Sequence, residues 1–141
     1  MLNISVLSVL VLLVTLTING TFFKYIVDLE KKDNCECSKN KKRDFIKYFL
    51  ITSLGFSLLS FIRISLSLTF TNVLYKLFVA LFQLASLVNL VVMFLYTREL
   101  KKIECVCSED WKRTFMSNYS LFFTVVYPVF IVSIYLLKIL L

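Results

Sequence analysis

Four long apolar runs limit what this chain can fold into. They are nearly free of charged side chains and cover Leu2–Phe23, Phe45–Ile62 (extendable to Leu68), Leu77–Thr97 and Phe115–Leu137. Runs of about 20 apolar residues cross the hydrocarbon core of a bilayer as α-helices. Hydrophobic residues make up 59% of the chain, while only 2 glycines and 1 proline are present. We therefore predict an all-α membrane protein with four transmembrane helices, the first being a retained anchor rather than a cleaved signal peptide.

The segments between the runs carry a duplicated motif. Lys31-Lys32-Asp33-Asn34-Cys35-Glu36-Cys37-Ser38 recurs 70 residues later as Lys101-Lys102-Ile103-Glu104-Cys105-Val106-Cys107-Ser108, without a gap. A basic pair follows each copy, Lys42-Arg43 in the first and Lys112-Arg113 in the second. This pattern predicts two tandem helix–loop–helix repeats, residues 1–70 and 71–141, packed as an antiparallel four-helix bundle.

Basic residues predict the orientation of the bundle. Of the 16 Lys and Arg residues, eight lie within Lys24–Lys47 and five within Arg98–Arg113. The positive-inside rule places such segments in the cytosol. Both cysteine loops should then be cytosolic, with both termini and the Leu68–Asn72 turn on the opposite side. All nine acidic residues lie in or beside the same loops and weaken the positive electrostatic potential of the basic residues. We therefore expect contact with lipid headgroups and no nucleic-acid partner.

The four cysteines are the residues with the clearest chemical potential, and the chain contains no histidine. Three interpretations remain open from the sequence. The thiolates of Cys35, Cys37, Cys105 and Cys107 could hold one zinc ion, although paired zinc ligands are usually two to four residues apart. Disulfides could join the loops, for example Cys35 with Cys105, but a cytosolic location disfavours them. Free or palmitoylated thiols are the third interpretation.

The residues that follow each cysteine motif, just before the next apolar run, form another candidate site. Lys42, Arg43, Lys112 and Arg113 stand just before a predicted span, and Trp111 is the only tryptophan. Basic and aromatic residues at this position anchor helices in the headgroup region. We therefore expect these five residues to face lipid or a partner protein.

Polar residues recur within the apolar runs at helical spacing. Ser57, Ser60, Gln83, Asn89 and Thr124 lie on predicted inward stripes, where small or amide side chains favour close packing of membrane helices. The alternative is that they line the pathway of a small oligomeric ion channel. No run contains an acidic residue, so the sequence offers no proton relay or cation site in the membrane.

The segment Cys105–Arg113, with the pattern Cys-x-Cys-Ser-x-x-Trp-Lys-Arg, resembles small, uncharacterised membrane proteins of giant DNA viruses. The first loop departs from this pattern, because Lys41 stands where the second loop has Trp111. The resemblance implies a location in a virion or host membrane. It also implies access to a viral thiol oxidation pathway in the cytosol, which would make disulfides as plausible as zinc.

Together these features predict a non-enzymatic structural or interaction protein of a membrane, with its two halves clasped through the cysteine loops. The sequence shows no nucleophile–base pair and no glycine-rich phosphate loop, so we expect no catalysis. Viral or other membrane-complex proteins are the expected partners, and a homo-oligomer is compatible with the sequence.

Overall fold

The computed structural model describes residues 4–32, 34–65 and 73–140, and these ranges contain helices and no strand. The predicted start at Leu2, the extension to Leu68, the Leu68–Asn72 turn and the 70/71 boundary lie outside them. The helices are α1 (Ile4–Lys31), α2 (Lys41–Ser65), α3 (Val73–Lys102) and α4 (Trp111–Leu140), and each cysteine loop contains one 3₁₀ turn, Glu36–Ser38 and Val106–Ser108.

The prediction of an all-helical, membrane-compatible chain is confirmed. In the described part of the chain, three helical segments are long and apolar enough to cross a membrane: Val9–Lys31, Lys41–Arg63 and Val73–Lys102. Because α4 is not among them, the four-span arrangement stays a prediction.

The helices continue past the apolar runs at the loop end. α1 reaches Lys31, eight residues beyond the predicted span end, and the charged residues of its last turns reach across to the loops. α2 and α4 begin directly after the N-cap residues Asn40 and Asp110, whose side-chain oxygens accept the amides of Lys42 and Lys112 at 3.1 and 3.2 Å. Such caps satisfy amides that have no partner inside the helix.

Each helix packs against its neighbour in the chain, and α4 returns to α1. Aromatic rings join α2 to α3, with Phe56 and Phe82 at 4.6 Å between centroids, while Phe22 of α1 lies 5.3 Å from Tyr119 of α4. The buried hydrophobic core occupies the half of the bundle nearest the loops: Phe22, Tyr25, Ile26, Leu29, Cys35, Ile46, Leu50, Met93, Tyr96, Leu100, Cys105 and Met116. Many leucines and valines farther from the loops are exposed, as expected of helices whose outer faces contact lipid.

The buried positions extend the correspondence between the two halves into the helices, with an offset of 71 before the loops and of 70 after them. In the first helices, Phe22, Tyr25, Ile26 and Leu29 correspond to Met93, Tyr96, Thr97 and Leu100, all buried and all 71 residues later. In the second helices, Ile46 and Leu50 correspond to the buried Met116 and Ser120 at an offset of 70. The difference arises because three residues separate the end of α1 from Cys35, whereas two separate the end of α3 from Cys105.

Candidate functional site

Two disulfides join the loops. Cys35 is bonded to Cys107 and Cys37 to Cys105, with Cα–Cα distances of 5.6 and 5.9 Å, within the usual range. The Cys35–Cys105 bond suggested as an example from the sequence is therefore not the pairing found. A two-fold exchange of the loops, which replaces Cys35 by Cys105 and Cys37 by Cys107, converts each observed bond into the other. The two bonds therefore occupy equivalent positions in the two repeats.

The four predicted metal ligands are brought together, but as oxidised cysteines. All four Sγ atoms lie within 4.8 Å of one another. The Sγ atoms of Cys37 and Cys107, which belong to different disulfides, are 3.3 Å apart. A tetrahedral zinc site with Zn–S bonds of about 2.3 Å holds its sulfurs about 3.8 Å apart. The cluster has nearly these dimensions, yet a bonded sulfur is not a thiolate ligand. Metal binding would require all four cysteines to be reduced.

A serine and an arginine hold each cysteine turn in place. The hydroxyls of Ser38 and Ser108 donate to the carbonyls of Cys35 and Cys105 at 2.8 and 2.7 Å. In the second loop, Arg113 donates to the Ser108 hydroxyl at 2.9 Å. In the first loop, Arg43 makes the corresponding bond to Ser38 at 3.3 Å. The serine of the Cys-x-Cys-Ser motif is therefore a structural residue that links the turn to the following helix.

Two buried tyrosines connect each half of the chain to the loop of the other half. The Tyr25 hydroxyl on α1 donates to the Ser108 carbonyl at 2.8 Å, and the Tyr96 hydroxyl on α3 donates to the Ser38 carbonyl at 3.0 Å. A third bond crosses the same boundary, from the Lys32 ammonium to the Cys107 carbonyl at 2.9 Å. The sequence analysis did not single out these tyrosines. They are 71 residues apart, whereas the loop motif repeats at 70, so an alignment at 70 does not pair them.

Ion pairs cross between the halves in the same paired manner. Lys42 pairs with Glu99, whose carboxylate also accepts from the Asn40 amide at 3.0 Å, and Lys112 lies 3.6 Å from Asp28. Glu99 and Asp28 are again 71 residues apart. We name the region formed by residues 28–47 and 99–113, with its disulfides and crossing bonds, the loop head.

These contacts correct the predicted lipid- or partner-facing set. Arg43 is buried, with 8% of its surface exposed, and the Lys112 and Arg113 side chains are largely covered by the loop head. Lys42 is partly exposed but paired. The reason is that the ends of α1 and α3 supply the carboxylates of Asp28 and Glu99 to the lysines, and the loops supply serine hydroxyls to the arginines. Trp111 alone is clearly exposed, at 65%.

The second loop exposes three large hydrophobic residues that the first loop lacks. Ile103, Val106 and Trp111 are exposed, Val106 at 74%. At an offset of 70 the first loop has Asp33, Glu36 and Lys41 instead. We call Ile103, Val106 and Trp111 the apolar trio. Comparison of the two copies position by position would have revealed it from the sequence.

The predicted polar-stripe residues have different surroundings. Ser57 and Asn89 are buried, Ser60 and Thr124 are half-buried, and Gln83 is exposed. A cavity of about 590 Å³ among the four helices is lined by Ser57, Ser60, Gln83 and Asn89, but not by Thr124. Thr124 donates to the Ser120 carbonyl of its own helix. The hydrophobic core fills the bundle between this cavity and the disulfides, so in the described residues a single chain provides no open route to the loop end.

Comparison with protein-family models, curated proteins and solved structures finds no match to this chain.

Proposed function

We propose that this chain is a non-enzymatic interaction protein of a membrane, whose loop head docks a partner protein on the cytosolic side. The observation that carries the proposal is the double disulfide between the loops, reinforced by the Tyr25 and Tyr96 hydrogen bonds. Bonds that fix two loops before binding reduce the entropy lost on association. A preorganised surface of this kind is suited to recognition.

The apolar trio is the proposed contact surface. Exposed aromatic and aliphatic residues within a polar surround are typical of protein interaction sites. Lys101, Lys102, Glu104 and Glu109 are neighbours of the trio along the chain and would form its polar rim. Only the second loop has this composition, so the proposal is one partner per chain rather than two equivalent sites.

The proposal includes four spans. Residues 114–137 contain no Asp, Glu, Lys or Arg, which suits a fourth transmembrane segment within α4. With four spans, both loops lie on one side and the basic residues place that side in the cytosol.

Disulfides on the cytosolic side require an oxidant, since the cytosol keeps most thiols reduced. The resemblance to giant-virus membrane proteins implies such an oxidant, and the proposal therefore places the chain in a viral inner membrane or the host membrane that gives rise to it. In a reducing compartment, the same four sulfurs would hold zinc and keep the loops together.

A site-specific photocrosslinker at Val106 tests the proposal in the membranes where the protein is naturally made. The matched control carries the crosslinker at Glu36, the equivalent exposed position in the first loop. We expect one discrete protein adduct from Val106 and none from Glu36, with the Val106 adduct abolished by Trp111→Glu. A product of twice the chain mass would instead indicate self-association, and equal adducts from both positions would contradict the assignment of the trio.

A further inference from the structure

The two disulfides of the loop head differ in their exposure to solvent. Each joins a buried cysteine to a more accessible one, and the buried members are Cys35, at 1% exposed, and Cys105, at 3%. The accessible members are not alike. Cys37 is exposed, whereas Cys107 is half-buried and packs against the hydrophobic core. A thiolate from outside the chain therefore reaches the Cys37–Cys105 bond, at Cys37, more readily than it reaches the other bond.

The loop head has one more disulfide than it needs to stay closed. The two bonds have sequence separations of 72 and 68 residues, so they close nearly the same loop. A disulfide stabilises mainly by restricting the unfolded chain, and a second bond across the same loop restricts it little further. Opening of the Cys37–Cys105 bond would leave the Cys35–Cys107 bond and the crossing tyrosine hydrogen bonds in place. One bond is thus available for chemistry while the other holds the loops together.

Thiol–disulfide exchange at the accessible bond balances without any further reagent. A partner thiolate attacks Cys37 Sγ and forms a mixed disulfide, while Cys105 is displaced and takes up a proton. A second thiol of the same partner then attacks the partner's own sulfur in the mixed disulfide and releases Cys37 as a thiol. In sum, two electrons and two protons pass from the partner dithiol to the Cys37–Cys105 bond, and the partner leaves with a disulfide.

We propose that the Cys37–Cys105 disulfide oxidises a pair of thiols on a partner, whereas the Cys35–Cys107 disulfide keeps the two loops joined. The substrate class is a protein or peptide dithiol. The reaction consumes the bond, so one partner is oxidised per chain. The inference depends on the sulfurs and not on the apolar trio, so either proposal can fail while the other stands.

The test is incubation of the oxidised full chain, in detergent and without denaturant, with an excess of a reduced synthetic peptide that contains two cysteines separated by two residues. Acid quenching stops further exchange among the neighbouring sulfurs, of which those of Cys37 and Cys107 are 3.3 Å apart. Alkylation and peptide mass spectrometry then identify the opened bond. We expect one equivalent of peptide disulfide per chain, with Cys37 and Cys105 alkylated, and a second equivalent at least tenfold more slowly.

Two variants with a single disulfide provide the matched comparison. Cys35→Ser/Cys107→Ser retains only the accessible bond and should oxidise the peptide at the rate of the first phase of the wild-type protein. Cys37→Ser/Cys105→Ser retains only the other bond and should react at least tenfold more slowly. Both variants have one bond across nearly the same loop, so a difference in rate reports access to the sulfur rather than the number of bonds.

Three results would overturn the proposal. They are opening of the Cys35–Cys107 bond first, opening of both bonds at the same rate, and no peptide disulfide until denaturant is added. The last result would identify both bonds as purely structural. The order of opening in the wild-type protein decides the matter even if one of the variants does not fold.

Discussion

Glu104 has a backbone conformation that non-glycine residues rarely adopt, with φ of 50°. It follows the end of α3, where the Cys105 amide donates to the Leu100 carbonyl and the Glu104 amide to the Lys101 carbonyl. This pair of bonds is the Schellman motif, in which the left-handed position is usually glycine. Its carboxylate is also near the negative end of the helix dipole.

Glu104→Gly should therefore stabilise the protein by about 1 kcal/mol, the strain relieved being partly offset by the flexibility of glycine when unfolded. Thermal unfolding in detergent would show a rise in Tm. Glu104→Ala is the matched control, because it removes the same carboxylate but keeps the Cβ atom. Equal gains from both variants would attribute the effect to charge rather than to backbone strain.

Tyr25 and Tyr96 each supply a hydroxyl to a buried loop carbonyl, so removal of either hydroxyl leaves an acceptor without a donor. We expect Tyr25→Phe and Tyr96→Phe each to destabilise the protein by about 1–3 kcal/mol. Tyr48→Phe is the control, since Tyr48 is exposed. Denaturant titration followed by circular dichroism measures the difference, and a loss no larger than that of the control would show that the crossing bonds contribute little.

The two disulfides close nearly the same loop, with sequence separations of 72 and 68 residues. In the chain-entropy model, a single disulfide across about 70 residues raises the free energy of unfolding by about 4 kcal/mol. Once that disulfide is present, the second one restricts the unfolded chain very little. The pair Cys37→Ser and Cys105→Ser, which leaves the Cys35–Cys107 bond, should lose a small part of this stability, and removal of all four cysteines should lose most of it. Denaturant midpoints of the two variants provide the test. Equal losses of stability on removing the first and the second disulfide would show that the two bonds restrict the unfolded chain independently.

Reduction should convert the same cluster into a metal site, because the four sulfurs are already near the spacing that a tetrahedral ion requires. After treatment with a phosphine reductant and dialysis against zinc, elemental analysis should find one zinc ion per chain. The oxidised protein is the control and should bind none. Zinc uptake by the reduced Cys37→Ser/Cys105→Ser variant at the same level would show that binding does not need all four thiolates.

The arrangement of the whole molecule depends on whether α4 crosses the membrane. Four spans put the C-terminus opposite the loops, whereas three spans put it on the loop side. Alkaline phosphatase is active only after export from a bacterial cytosol, so fusions after Asn72 and Leu141 should be active and fusions after Asn40 and Asp110 inactive. An inactive fusion after Leu141 beside an active one after Asn72 would establish three spans.

Much of the architecture was predictable, because it depends on local composition. Long apolar runs require helices in a bilayer, and the position of each loop followed from the charged residues between them. Helix ends were less predictable. The last turns of α1, up to Lys31, are charged, and Asp28 and Glu30 form ion pairs with Lys112 and Lys47. A prediction based on apolar runs ends the helix before these residues. The basic pairs were predicted to face lipid or a partner because the sequence does not show which carboxylates lie beside them. In the structure, Glu99 pairs with Lys42 and Asp28 with Lys112.

The helical class, the two similar Cys-x-Cys motifs and the concentration of charge at one end of the bundle follow from residue type and spacing along the chain, and could be predicted without a structure. Packing of the two hairpins was needed to show that Cys35 bonds to Cys107 and Cys37 to Cys105, that the first helices correspond with a shift of one residue, and that Asn89 Oδ1 has no donor among the described residues. These depend on which groups from distant segments come within bonding distance when two hairpins pack, and chain spacing carries no record of such distances.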